Sequence, residues 1–166
     1  MAENKPIYLL VRGLQLLFAV IVMGLDGYAI HGYRGHAVDV NDPVFDGDAT
    51  LYAGVPAAWG FLMFCAVWTF PVVIFHFFES GLASRPLLGY VGLLSEAVAV
   101  LSWFAGFIAV AVNVGTTNSC MSGQNSCAEV KAAAAFGAFA WLLFMVTAAA
   151  AVGSFFHNRK QVPAAA

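Results

Sequence analysis

Four long stretches of the chain are apolar on every side, and short polar stretches separate them. The apolar runs are 9–30, 56–78, 87–113 and 130–156. A helix that crosses the hydrocarbon core of a bilayer needs about 20 mostly apolar residues, and each run supplies them. None alternates apolar with polar, and Ala, Leu and Phe dominate, so strands are not expected within them. The first run is too long for the apolar part of a signal peptide, and Asp26-Gly27-Tyr28 does not resemble a cleavage site. The sequence therefore predicts an all-α, four-helix integral membrane bundle forming a single domain over 1–166.

The intervening segments are 31–55, 79–86, 114–129 and the tail 157–166. The first holds Asp39, Asp42, Asp46 and Asp48 with Pro43 and reads as a polar loop. Its acidic spacing does not match an EF-hand, so a solvated loop is preferred to a cation site. Basic residues favour the cytoplasmic side of a membrane. Lys5, Arg12, Arg85, Arg159 and Lys160 all fall on one side if the chain crosses four times, leaving Arg34 and Lys131 opposite. Both termini and the 79–86 turn are accordingly expected in the cytoplasm, with 31–55 and 114–129 outside.

Composition agrees with this picture. The chain is 61% hydrophobic and 10% charged, whereas soluble domains carry roughly 25% charged residues. A net charge of -2 gives no support for nucleic-acid binding. Neither a cofactor nor a metal site is indicated. Cys120 and Cys127 lie in the second outer loop, where an oxidising compartment would permit a disulfide. Two free thiols remain the alternative. Cys65 stands alone within the second run and reads as a packing residue.

Helix association in lipid relies on close backbone approach and interhelical hydrogen bonds. Gly24 and Gly27, then Gly92, Ala99 and Gly106, then Ala133 and Gly137, supply small residues on three runs. The most informative polar residue is Glu96, deep within the third run. Intramembrane carboxylates face the bundle interior and pair. Arg12 and Gln15 enter from the same side, so an Arg12/Gln15–Glu96 cluster between the first and third helices is expected. Such a cluster would fix helix register; alternatively Glu96 is simply protonated, or the group binds a lipid headgroup or substrate. Asp26 and Trp59 read as interfacial residues, and His76 as a headgroup-level one. Pro71 is a possible kink in the second helix. Trp68 and Trp103 are candidate lipid or substrate contacts.

The order of these pieces resembles a MARVEL-domain protein, most closely its small single-domain fungal members. The resemblance rests on VRGLQLLFAVIVMGLDGYAI, AWGFLMFCAVWTFPVVIFHFF, LLSEAVAVLSWFAGFIAVAV, the paired cysteines and KAAAAFGAFAWLLF, and covers residues 5–158. It implies an M-shaped four-helix fold with both termini inside. It also implies association with lipid-ordered or curved membrane, vesicle trafficking and membrane apposition. By position, Arg12 and Gln15 match the start of the family's first helix. Glu96 matches the acidic residue of its third helix, and Cys120 and Cys127 its outer-loop pair. The family offers no catalytic residue to transfer, and it does not explain the long acidic loop.

The reading is thus a non-enzymatic membrane-organising or trafficking protein of the plasma membrane or secretory vesicles. Its partners would be lipids, such as sterol or phospholipid, and other membrane proteins or itself. The alternative is a small membrane enzyme, a terpenoid cyclase or isomerase, with Glu96 as general acid and Trp68 and Trp103 stabilising a cation. A transporter or channel is a weaker third reading, because a single intramembrane carboxylate makes a poor conduction path.

Overall fold

A computed structural model describes residues 5–33, 37–40, 49–52, 55–79, 86–116 and 126–160. Four helices dominate it: α1 (Lys5–Tyr33), α2 (Ala57–Glu79), α3 (Pro86–Thr116) and α4 (Ser126–Lys160). Each contains a stretch long and apolar enough to cross a membrane: Pro6–Gly32, Ala57–Phe77, Gly89–Gly115 and Cys127–Ser154. A spanning helix satisfies its backbone groups internally, which is why such runs fold this way in lipid. All four helices extend at least one residue past one end of the apolar run that announced them, because polar flanks can continue a helix into the headgroup zone.

Proline marks two of the starts. Pro86 opens α3, where its missing N–H costs nothing. Pro56 precedes α2, and its carbonyl accepts from the Trp59 amide at 3.0 Å. Pro71, by contrast, lies inside α2, which runs unbroken through it.

The segment between α1 and α2 is not wholly loop. Ala37–Val40 (β1) and Ala49–Tyr52 (β2) pair antiparallel, with Val38 opposite Leu51 and Asp39 opposite Thr50. The sequence reading treated this segment as polar loop and missed the hairpin. Asp39 lies on β1, while Asp42, Asp46 and Asp48 lie outside the described residues.

Each helix packs on its sequence neighbours, and α4 closes back onto α1. Successive helices run in opposite directions. The Gln15 amide, early in α1, reaches Thr147, late in α4, so the chain enters and leaves the bundle at one end. Close approach is made where side chains are absent. A Cβ on Gly106 would come within 3.3 Å of both Cys65 Sγ and Leu62 Cδ1. One on Gly137 would lie 3.3 Å from Phe107 Cβ and 3.4 Å from Leu62 Cδ1. Leu62 is therefore the point where α2, α3 and α4 meet. Gly24 does not contribute in this way, since it is exposed and nothing lies within 4 Å of its Cβ position.

The core is built from Ala19, Val22, Leu62, Ala66, Ala99, Trp103 and Phe144, all essentially buried. The outward faces carry Leu17, Phe64, Leu94, Leu101, Leu142 and Val146, each at least half exposed. Apolar surface of that extent is a liability in water but the required coat in a bilayer.

Candidate functional site

The buried stripe of α1 starts with Arg12 and Gln15, then continues through Ala19 and Val22. The corresponding stripe of α3 holds Glu96, Ala99 and Trp103, spaced at three and four residues. The two stripes face one another across the bundle axis. Glu96 is 0% exposed and Arg12 1%. A buried ion pair of this kind stabilises only when its remaining hydrogen-bonding capacity is filled, and here it largely is.

Arg12 Nη2 donates to Glu96 Oε1 in a buried salt bridge. Arg12 Nη1 donates to Gln15 Oε1 at 3.0 Å, and Nε to the Tyr8 hydroxyl at 3.1 Å. The guanidinium carbon also sits 5.1 Å from the Tyr8 ring centroid, within cation–π range. The Gln15 amide donates to Thr147 Oγ1 at 3.1 Å. Thr147 Oγ1 lies 2.9 Å from Glu96 Oε2 and 3.1 Å from the Phe144 carbonyl, so its single proton goes to one of the two. His76 Nε2, from the end of α2, lies 3.0 Å from Glu96 Oε1. Every helix thus contributes a side chain to one polar cluster.

Sequence reasoning left three members out of the cluster: Tyr8, His76 and Thr147. His76, which reads from the sequence as a headgroup-level residue, is 8% exposed and turns toward Glu96 inside the bundle. Thr147 lies within an alanine-rich run where nothing marked it out. Two other residues also move inward. Asp26 is 0% exposed and Trp59 4%, so both are turned into the bundle. Asp26 faces the backbone of Met63 on α2, yet neither carboxylate oxygen closes a hydrogen bond.

The candidate contact residues separate. Trp103 is buried, and its Nε1 donates to Thr69 Oγ1 at 3.1 Å, so it belongs to the core and does not reach lipid. Trp68 lies on the outer face of α2 and stacks with Phe64 at 6.0 Å between centroids. Cys127 falls in the first turn of α4, while Cys120 lies outside the described residues. Cys65 is a free, buried thiol whose Sγ donates to the Ser102 carbonyl at 3.3 Å.

Beside the polar cluster lies a cavity of about 320 Å³. Tyr8, Arg12, His76, Gly89, Thr147 and Ser154 are among its walls, and Glu96 is not.

Four spanning helices closed around one buried polar cluster is a membrane-domain architecture, and the family comparison agrees with it. The family model described as the membrane-associating domain, MARVEL, matches residues 5–150. The chain belongs to the MARVEL family. No curated protein and no solved structure gives a significant match. As a MARVEL chain with four spanning helices, the protein is a multi-pass integral membrane protein. The MARVEL match covers all of α1, α2 and α3 and most of α4, including every member of the polar cluster.

Proposed function

We propose that this MARVEL chain is a non-enzymatic membrane-organising or trafficking protein, associating with lipids and neighbouring membrane proteins, or with its own copies, through its helix faces. Both termini lie in the cytoplasm, and the membrane is the plasma membrane or that of secretory vesicles. A Cys120–Cys127 disulfide staples the outer entry into α4.

The observation that carries this reading is the engagement of Glu96. Arg12 and His76 occupy one of its oxygens, and Thr147 lies within bonding distance of the other. The carboxyl group does not line the neighbouring cavity. A general acid must lie within hydrogen-bond reach of the atom it protonates, and Glu96 is turned instead toward protein. The disposition of the tryptophans points the same way, since Trp103 is buried in the core, Trp68 faces outward, and neither lines the cavity beside the cluster. The cluster therefore acts as a strut that sets helix register, leaving the apolar outer faces to meet the bilayer. Basic residues at the chain-terminal end of the bundle support the orientation.

Reconstitution into phase-separating vesicles tests the function. The labelled protein should concentrate in one lipid phase, and Glu96→Gln should turn over no isoprenoid substrate differently from the native chain. Uniform distribution between phases, or isoprenoid turnover abolished by Glu96→Gln, would contradict the reading. Epitope tags at the two ends should both be reached only after the cytoplasmic face is opened.

A further inference from the structure

The cavity beside the polar cluster is chemically one-sided. Among the described residues, its side-chain polar lining offers the Arg12 guanidinium and the Tyr8 and Ser154 hydroxyls as donors, while the Thr147 hydroxyl and His76 Nε2 are engaged within the cluster. Among the described residues the walls include no carboxylate, because Glu96 is buried behind Arg12. Arg12 spends one N–H from each nitrogen on Tyr8, Gln15 and Glu96. Each terminal nitrogen carries a second hydrogen, and no described residue takes it. The Tyr8 hydroxyl accepts from Arg12, which leaves its own proton to donate. The rest of the wall is small or apolar, including Gly89, Leu93 and Ala151.

The position of the cavity is equally specific. It lies between the start of α1, the end of α2, the start of α3 and the end of α4, at the end of the bundle where the chain enters and leaves. Tyr8 and Ser154 on its walls are exposed. Donor-lined space at the ends of the spanning helices suits a phosphate ester whose acyl chains continue along the apolar outer faces. The volume is at the small end of ligand pockets, enough for a headgroup and not for a whole lipid.

We propose that this cavity binds the phosphate of a phospholipid headgroup, held by Arg12, Tyr8 and Ser154. The proposal deepens the membrane-organising reading and rests on it, giving the bundle one specific lipid in addition to its general lipid coat.

Native mass spectrometry of the full-length protein in neutral detergent provides the test, with phosphatidylglycerol as the probe and diacylglycerol as the phosphate-free control. Three substitutions alter the cavity without removing the polar cluster. Gly89→Leu fills it, and nothing lies within 4 Å of the Gly89 Cβ position to obstruct the new side chain. Ser154→Asp places a negative charge at an exposed wall position, and Ser154→Lys places a positive one. The native chain and Ser154→Lys should retain phosphatidylglycerol. Gly89→Leu and Ser154→Asp should retain about tenfold less, the loss expected for one charge-assisted hydrogen bond. Diacylglycerol should not be retained, and excess inorganic phosphate should not displace the lipid. Retention unchanged in both Gly89→Leu and Ser154→Asp would overturn the proposal, as would equal retention of diacylglycerol. Displacement by inorganic phosphate would assign the site to a free anion and overturn the lipid assignment. Partition between vesicle phases, measured on the same samples, reports separately on the membrane-organising reading.

Discussion

Arg12 on α1 and Glu96 on α3 form a salt bridge across the diagonal of the bundle. The extensive helix packing is between sequence neighbours and between α1 and α4. The α1 and α3 helices pack on each other far less than on their neighbours, and the long arginine side chain spans between them. Gln15 and Thr147 complete the link on the α4 side, and His76 on the α2 side. In lipid, where burial from water does not drive helices together, such a cross-brace specifies how the four helices are rotated.

A second polar contact, midway along the bundle, should contribute measurably. Trp103 Nε1 donates to Thr69 Oγ1, which itself donates to the Cys65 carbonyl at 3.0 Å. Thr69→Val preserves shape but orphans a buried indole N–H, and should destabilise the bundle by about 1 kcal/mol. Thermal unfolding in detergent checks this, with Thr69→Ser expected near the native midpoint. A Val variant as stable as the native chain would show that the bond contributes nothing.

Glycines should divide according to what stands beside them. Gly137→Leu must displace Phe107, Leu62 and the Trp103 ring, and overpacking of this kind costs about 1–3 kcal/mol. Gly13 has nothing within 4 Å of its Cβ position, so Gly13→Ala should gain up to about 1 kcal/mol from helix propensity alone. Opposite shifts of the two thermal midpoints are expected. Equal shifts would mean that α4 does not approach α2 and α3 at Gly137.

Asp26 should be a stability cost. It is fully buried, and neither carboxylate oxygen closes a hydrogen bond. Burying such a group unsatisfied is unfavourable. The near-isosteric Asp26→Asn should therefore raise the thermal midpoint, by about 1 kcal/mol or more of stability. A lower midpoint would reveal a partner that only the carboxyl group can satisfy.

The four helices were legible because runs of spanning length need no tertiary context to recognise. The juxtaposition of Arg12, Gln15 and Glu96 was accessible through depth, since 1.5 Å of rise per residue converts sequence position into a level in the membrane. The rotation of each helix was much less accessible. In a soluble bundle, a polar face shows which side is out. Here interior and lipid are both apolar, so the interior placement of Asp26, Trp59 and His76 left no periodic trace. Thr147 was hidden for a related reason, as a single hydroxyl in an alanine run can face either way. The β1–β2 hairpin was obscured by the aspartates and glycines that surround its two short strands.

The cross-brace between α1 and α3 is the centre of the account, and a double-mutant cycle on Arg12 and Glu96 tests it most directly. Thermal stability would be compared for the native chain, Arg12→Met, Glu96→Gln and the double variant. Each single substitution strands a buried partner and should cost about 3–5 kcal/mol. The double variant should be no worse than the poorer single, giving a coupling of about 3 kcal/mol or more. Losses that simply add, with no coupling between the two positions, would contradict the account.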